Sequence, residues 1–225
     1  MRNTKHCIYT SSYDRGLEHI LKLWPDVMKA VPKAHLHIFY GWDLFVKFYG
    51  NNPASMAWKE NMDKMMKQKG VTEHGRVSQD ELKKWIEKCG LWTYPTHFGE
   101  INCISAIKAQ AWGAVPVVIN YAALETTVQH GIKVHGDIYE PEVRKDYTKK
   151  LIEILKDPAK QEEIRPSMMA WARNTFNWDK IAIQWSEDFR YDEVEEAMEV
   201  LLKKDKKSMI YFPKELQTKQ GMEVT

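Results

Sequence analysis

Through the first two thirds of the chain, short apolar runs alternate with longer stretches whose apolar positions recur at helical spacing. That alternation is the pattern of βα units around a parallel sheet, and it predicts a doubly wound α/β fold. Strands are expected at residues 6–11 (HCIYTS), 35–40 (HLHIFY), 75–77, 91–95, 115–120 and 132–134. Helices are expected at residues 17–30, 55–68, 79–88, 101–112 and 124–129. Ser78, with Glu81 three residues on, has the form of a capping box before the third of these helices. After Asp137 the pattern changes, and residues 141–157, 161–175 and 178–202 read as successive helices that close the domain. One domain is therefore expected over residues 1–202. Residues 203–225 form a basic tail, with Lys203, Lys204, Lys206 and Lys207, a short apolar patch at 209–212 and a polar end.

The bulk properties narrow the class. With 225 residues, 44% hydrophobic and 28% charged, the chain is long enough for one well-filled core. The 33 Lys and Arg against 31 Asp and Glu leave a net charge of +2, so no nucleic-acid partner is indicated and any anion site must be local. Cys7, Cys89 and Cys103 are few, odd in number and unpaired in spacing, which implies reduced thiols and a cytoplasmic setting. No stretch approaches the roughly 20 apolar residues of a membrane helix, so contact with a membrane would be peripheral. The lysine run at 203–207 reads first as a solvated tail, with an anionic membrane carrying a lipid-linked acceptor as the alternative.

Two segments carry candidate chemistry. The first strand stops at Thr10, Ser11 and Ser12 and turns through Tyr13, Asp14, Arg15 and Gly16 into a helix. Hydroxyls, a guanidinium and a glycine at a helix start make a phosphate cradle, since the free N–H groups there carry partial positive charge. An ordinary helix start with a solvated arginine is the competing reading. The second segment, LWTYPTHFGEINCISAIKAQAWGAVPVVIN, sets a Pro/Gly loop with His97 and Glu100 before a small-residue helix that stops at Gly113 and enters a buried strand. Glu100 thereby sits on the ligand edge of the sheet, where complementing the helix dipole is the equal alternative.

At these residues the chain resembles the retaining glycosyltransferases of family 4, whose donor domain is a Rossmann-like half of a GT-B fold. Their signature is a Glu, a second Glu after seven intervening residues, a small-residue helix, Gly and Pro-Val-Val, and residues 93–120 look like it. TSSYDRGLEHILKLWPDV, AHLHIFYG and HGRVSQDELKKWIEKCGLWTYPT extend the resemblance over roughly residues 5–135. The resemblance implies that Arg15 and Gly16, with Ser11 and Ser12, contact the donor phosphates and that Glu100 contacts the transferred sugar. It further implies that main-chain amides at Ile101, Asn102 and Cys103 face the sugar or pyrophosphate, and that Glu125 is a further donor-side residue with a helix-start role as its rival. The second Glu falls on Lys108, which donates hydrogen bonds but accepts none, so it cannot grip ribose hydroxyls as a carboxylate does. Where many members carry another basic residue, this chain has Ser11, which makes the expected pyrophosphate site less positive.

The implied reaction is transfer of a hexose-type sugar from a UDP- or GDP-type donor, with no metal and no separate cofactor required. The acceptor would be a glycan, a lipid-linked or a protein acceptor. Because the donor-type strand starts almost at Met1, the chain is expected either to be a fragment of a longer protein or to have its cleft completed by a separate acceptor domain, a homo-oligomer or the acceptor itself. A non-catalytic nucleotide-sugar-binding module is the rival. A nicotinamide enzyme is disfavoured because no Gly-x-Gly-x-x-Gly follows the first strand. Trp42 and Trp92 are candidate sugar-stacking rings, with core packing as the commoner role of such aromatics. His35 and His37 share one strand face without a third metal ligand, and a structural role is expected.

Overall fold

The computed structural model describes residues 2–189. They divide between two compact units, Met1–Phe176 and Asn177–Thr225. The first unit is built on a six-stranded, all-parallel sheet: β1 (Asn3–Tyr9), β2 (His35–Ile38), β3 (Val71–Glu73), β4 (Cys89–Tyr94), β5 (Val115–Ile119) and β6 (Ile132–Val134). The spatial order is β3-β2-β1-β4-β5-β6, so the winding reverses between β1 and β4. This is the doubly wound, Rossmann-like arrangement that the alternation of the sequence predicts.

Helices cover both faces. α1 (Leu17–Ala30), α3 (Pro53–Met66) and α7 (Pro141–Lys156) lie on one, and α4 (Gln79–Lys88), α5 (Ile104–Ala111) and α8 (Pro158–Thr175) on the other. β4 and β5 are buried at every position, which is why CGLWTY and VPVVI read as continuous runs rather than alternating ones. α1 carries Pro25 in its interior, where the missing N–H leaves the Leu21 carbonyl without its helical donor. The Gln68 side chain supplies one at 3.0 Å, so the helix runs on. Tyr147 of α7 is fully buried and satisfied, its hydroxyl bonded to the Val117 carbonyl (2.7 Å) and to Thr93 Oγ1 (2.8 Å).

Several boundaries differ from expectation. The third strand forms at Val71–Glu73, not at 75–77, where Gly75 takes a left-handed φ of 69°. It is a three-residue edge strand, only half-buried, and carries no apolar run. A helix before it, α2 (Asp43–Tyr49), was not expected, because it is short, buries no residue and is apolar nearly all round, so no polar face marks a helical period. α3 starts earlier than expected, at Pro53, with Asn52 Oδ1 accepting the Ala54 and Ser55 N–H groups. α8 likewise starts at Pro158, behind the Asp157 cap. The helix expected from 101 begins at Ile104, since Cys103 has a non-helical ψ of 85°. α6 (Leu124–Thr127) is a single turn. In the second unit, α9 (Trp178–Asp188) is capped by Asn177, and the rest of the helix expected to 202, like the basic tail, lies outside the described residues.

Candidate functional site

The site grows from the place where the winding reverses. β1 ends at Tyr9, and the chain passes through Thr10, Ser11 and Ser12 into a 3-10 turn, Tyr13–Arg15, before α1. Gly16 joins the turn to the helix at φ 119°, and a Cβ there would stand 2.7 Å from the Pro95 carbonyl. Only glycine allows the β1–α1 turn to approach the loop after β4 this closely. That approach brings Arg15 to Glu100: one guanidinium nitrogen lies 3.4 Å from each carboxylate oxygen. Tyr94, at the end of β4, donates to Glu100 Oε1 at 2.6 Å, and its oxygen is 3.2 Å from Ser11 Oγ. Burial and the Glu100 bond raise the Tyr94 phenol, which keeps it a donor. Arg15 also stacks on Phe98, 4.1 Å from the ring centroid. Its side chain is 38% exposed, whereas that of Glu100 is 9% exposed. The carboxylate is thus fixed by a short bond, and the guanidinium is held by contacts at the outer limit of hydrogen-bond length.

Beside this cluster lies a cleft of about 240 Å3. Thr10 and Ser105 form its floor, Tyr40 and Arg76 stand on the side of β2 and β3, and Gln79 and Lys108 come from α4 and α5. Among the described residues no carboxylate lines it. Lys108 Nζ donates to Gln79 Oε1 at 2.6 Å, so this side chain faces the cleft across the mouth between the two helices. Tyr40 adopts a left-handed φ of 148°. It is held there by its N–H bond to the Gly75 carbonyl, while Tyr13 Oη accepts from the Gly41 N–H and donates to Glu73. Such strain in a cleft wall is the kind that surrounding contacts must enforce.

Ser11 is buried and bonded to Tyr94, and the Ser12 carbonyl accepts from Tyr9 Oη and Arg15 N–H. Ile101 is 98% exposed and Asn102 is exposed. Among the described residues the N–H groups of Ile101, Asn102 and Cys103 have no protein acceptor. The Cys103 thiol is buried and pushed up to about 12 by desolvation, and the Cys89 thiol likewise, so neither is a nucleophile. Glu125 lies exposed in the first turn of α6 and makes no side-chain hydrogen bond among the described residues. Trp92 is fully buried with its Nε1 on Thr10 Oγ1, so it belongs to the core and cannot stack a ligand. Trp42 packs edge-on against Tyr13 and Trp58. Sequence reasoning passed over Tyr94, Phe98, Gln79 and Arg76. The Tyr-Pro pair directly before a loop on the ligand edge was the available signal for Tyr94.

Residues 7–171 match the family model of glycosyl transferases group 1. The chain belongs to this family. No curated protein sequence matches it significantly. Solved glycosyltransferase structures share its fold. The pneumococcal O-GlcNAc transferase GtfA, in complex with UDP and GlcNAc, superposes with a TM-score of 0.65 at 13% identity, over 83% of this chain and 35% of that one. Anabaena Alr3699/HepE, in complex with UDP and glucose, gives 0.65 at 14% identity, over 83% and 48%. Sucrose-phosphate synthase from Thermosynechococcus elongatus gives 0.65 at 18%, over 84% and 46%. This chain spans less than half the length of each of these proteins. The group 1 glycosyltransferase match runs from the end of β1 through most of α8, and so contains every residue of the Arg15–Glu100 cluster and of the cleft.

Proposed function

We propose that the chain is the donor half of a retaining glycosyltransferase of family 4 type, taking a UDP- or GDP-linked hexose. The observation that carries this is the pairing of Arg15 with Glu100 across the switch point between β1 and β4, the place where open α/β sheets take their ligands. A diphosphate offers Arg15 a stronger partner than two 3.4 Å contacts, and it leaves Glu100 free to accept hydroxyls of the transferred sugar. Ser11, Ser12, Gly16 and the open amides of Ile101, Asn102 and Cys103 line the same edge. Together with Arg15 they meet the charge that develops on the departing diphosphate. The nucleoside occupies the cleft at Thr10, Arg76 and Lys108, and Glu125 flanks the sugar side. The donor is a substrate, and the reaction needs no metal or further cofactor. The acceptor, a glycan, a lipid-linked or a protein acceptor, is presented by a further domain, a separate polypeptide or a second copy, from a cytoplasmic or membrane-peripheral location. The bound UDP and sugar in the GtfA and HepE structures support this donor class.

Binding of UDP or GDP should raise the melting temperature and NAD should not, since ligand at 100 times its Kd adds about 2.7 kcal/mol. Arg15→Ala should weaken UDP by about 1.5–3 kcal/mol, the value of a charge-assisted contact, while uridine binding changes little. Equal losses for UDP and uridine, or no shift with any nucleoside diphosphate at millimolar concentration, would remove the site. Lys108 in the cleft favours a second reading, a nucleotide-sugar-binding module without turnover, and hydrolysis or transfer of a UDP-hexose by the chain separates the two.

A further inference from the structure

The loop of residues 95–103 divides the ligand edge of the sheet. On its far side from the Thr10–Lys108 cleft lies a second cavity of about 340 Å3, walled by the segments that follow β4, β5 and β6. Its volume falls within the range of small-molecule sites, about 300–1,000 Å3. Ile119 and Ile138 form an apolar base, and the walls are His97, Tyr121, Asp137 and Tyr139. Among the described residues neither lysine nor arginine lines it.

The rings are fixed and open. Tyr139 is 59% exposed, and its ring packs edge-on against His19 at 4.8 Å and tilted against His97 at 5.2 Å. The His19 Nε2–His97 Nδ1 bond of 3.0 Å ties those two imidazoles together, so Tyr139 is braced from behind. Tyr121 is 48% exposed and runs beside Gly99 of the 95–103 loop. Ala122 beside them holds a strained left-handed φ of 51°, and Gly136 turns at φ 109°, which glycine adopts freely. Asp137 Oδ1 accepts the Tyr139 N–H at 2.9 Å, and among the described residues its Oδ2 has no protein partner. The Ala123 N–H donates to the Glu100 main-chain carbonyl at 3.1 Å, which ties the segment after β5 to the loop that carries Glu100.

Two exposed aromatic faces, one carboxylate and no cation suit a neutral polyol. Aromatic faces receive the C–H surface of a pyranose ring, and a carboxylate accepts two of its hydroxyls. A phosphate would meet Asp137 and find no positive partner. We propose that this cavity is a saccharide site, separate from the donor, that holds a pyranose ring of the acceptor beside Glu100. The acceptor role rests on the reading of the chain as a glycosyltransferase, but the ring-binding chemistry does not.

The test is saturation-transfer NMR on the full chain, with maltose and N-acetylglucosamine as probes at millimolar concentration and UDP present at saturation. Ring-proton signals are expected, with Tyr139→Ala, Tyr121→Ala and Asp137→Asn each weakening binding by about fivefold, and Tyr139→Phe retaining it. The UDP-induced melting shift should be the same in all four variants, and that shift also reports that each remains folded. Absence of sugar signals from the parent, or signals that persist in all three weakening variants, overturns the proposal. So does weaker UDP-glucose binding in the Tyr121 and Tyr139 variants without any free-sugar binding, since that would make the cavity part of the donor site. Loss of the UDP shift in the parent, with sugar binding intact, would instead count against the donor reading alone.

Discussion

Lys108 is the residue at which the chain departs furthest from the glycosyltransferases it resembles, and its position makes the consequence measurable. The ammonium is bonded to Gln79 and faces a cleft that holds Arg76 and no carboxylate, so nothing charged there accepts from ribose hydroxyls. Lys108→Glu restores an acceptor pair at the same place in α5. Calorimetry should show UDP binding about tenfold more tightly, from about 1.4 kcal/mol for hydrogen bonds to a charged group, with 2′-deoxy-UDP gaining less. Equal affinities of parent and variant for both ligands would show that this position does not meet the nucleoside. The Arg15–Glu100 contact was legible as two separate candidates 85 residues apart, each on the ligand edge of its own βα unit. Their partnership was not, because it depends on β1 and β4 being neighbours in the sheet. Tyr94 and Phe98 were hidden for a different reason. An aromatic on or beside a buried strand reads as core, and only the loop geometry turns these two toward a carboxylate and a guanidinium.

At the scale of elements, the long amphipathic helices and the fully buried strands followed from periodicity, and α1, α4 and β6 have the expected limits. What periodicity could not supply lies where an element is too short or too exposed to have a face. α2 and β3 are of this kind. Both nonetheless shape the cleft, since Leu44 of α2 lines it and Glu73 of β3 anchors Tyr13. The junction between β1 and α1 is the element-level feature that function depends on most. Gly16→Ala sets a Cβ 2.7 Å from the Pro95 carbonyl at a φ of 119°. Backbone strain of this sort costs about 1–3 kcal/mol, and at about 2–4 °C per kcal/mol for a chain of this size a cost of about 2 lowers Tm by about 4–8 °C. The same displacement should move Arg15 away from Glu100 and weaken UDP. A variant with parental Tm and parental UDP affinity would show that the close approach of the two loops is not needed.

Across the whole sheet, four histidines make the fold sensitive to acid. His6 of β1, His35 and His37 of β2 and His74 after β3 lie in mutual ring contact, and His37 bonds through Nδ1 to His74 and through Nε2 to His6, both at 3.0 Å. Trp85 of α4 and Phe39 close over them, and among the described residues the carboxylates that favour a proton here, Glu73 and Glu81, act on His74. The sequence showed only His35 and His37 on one strand face; the pairing of three strands was needed to add the others. Burial, and then the neighbouring imidazoles, push His37 down to about 3, with His6, His35 and His74 lowered as well. A depressed histidine means that the fold holds the neutral ring while the unfolded chain takes up a proton near pH 6.5. The stabilisation is therefore complete above about pH 6.5 and is lost as pH falls from there toward 3. His37 alone then accounts for about 2 kcal/mol between pH 6.5 and 5, at 1.36 kcal/mol per unit. Urea unfolding at pH 7 and pH 5 should show at least that decline in the parent. In His37→Gln the chain is less stable at pH 7, because two bonds are altered, yet its decline to pH 5 is shallower by about 2 kcal/mol. An equal decline in both proteins would mean that the cluster takes up its protons without opening, and that acid acts on the fold elsewhere.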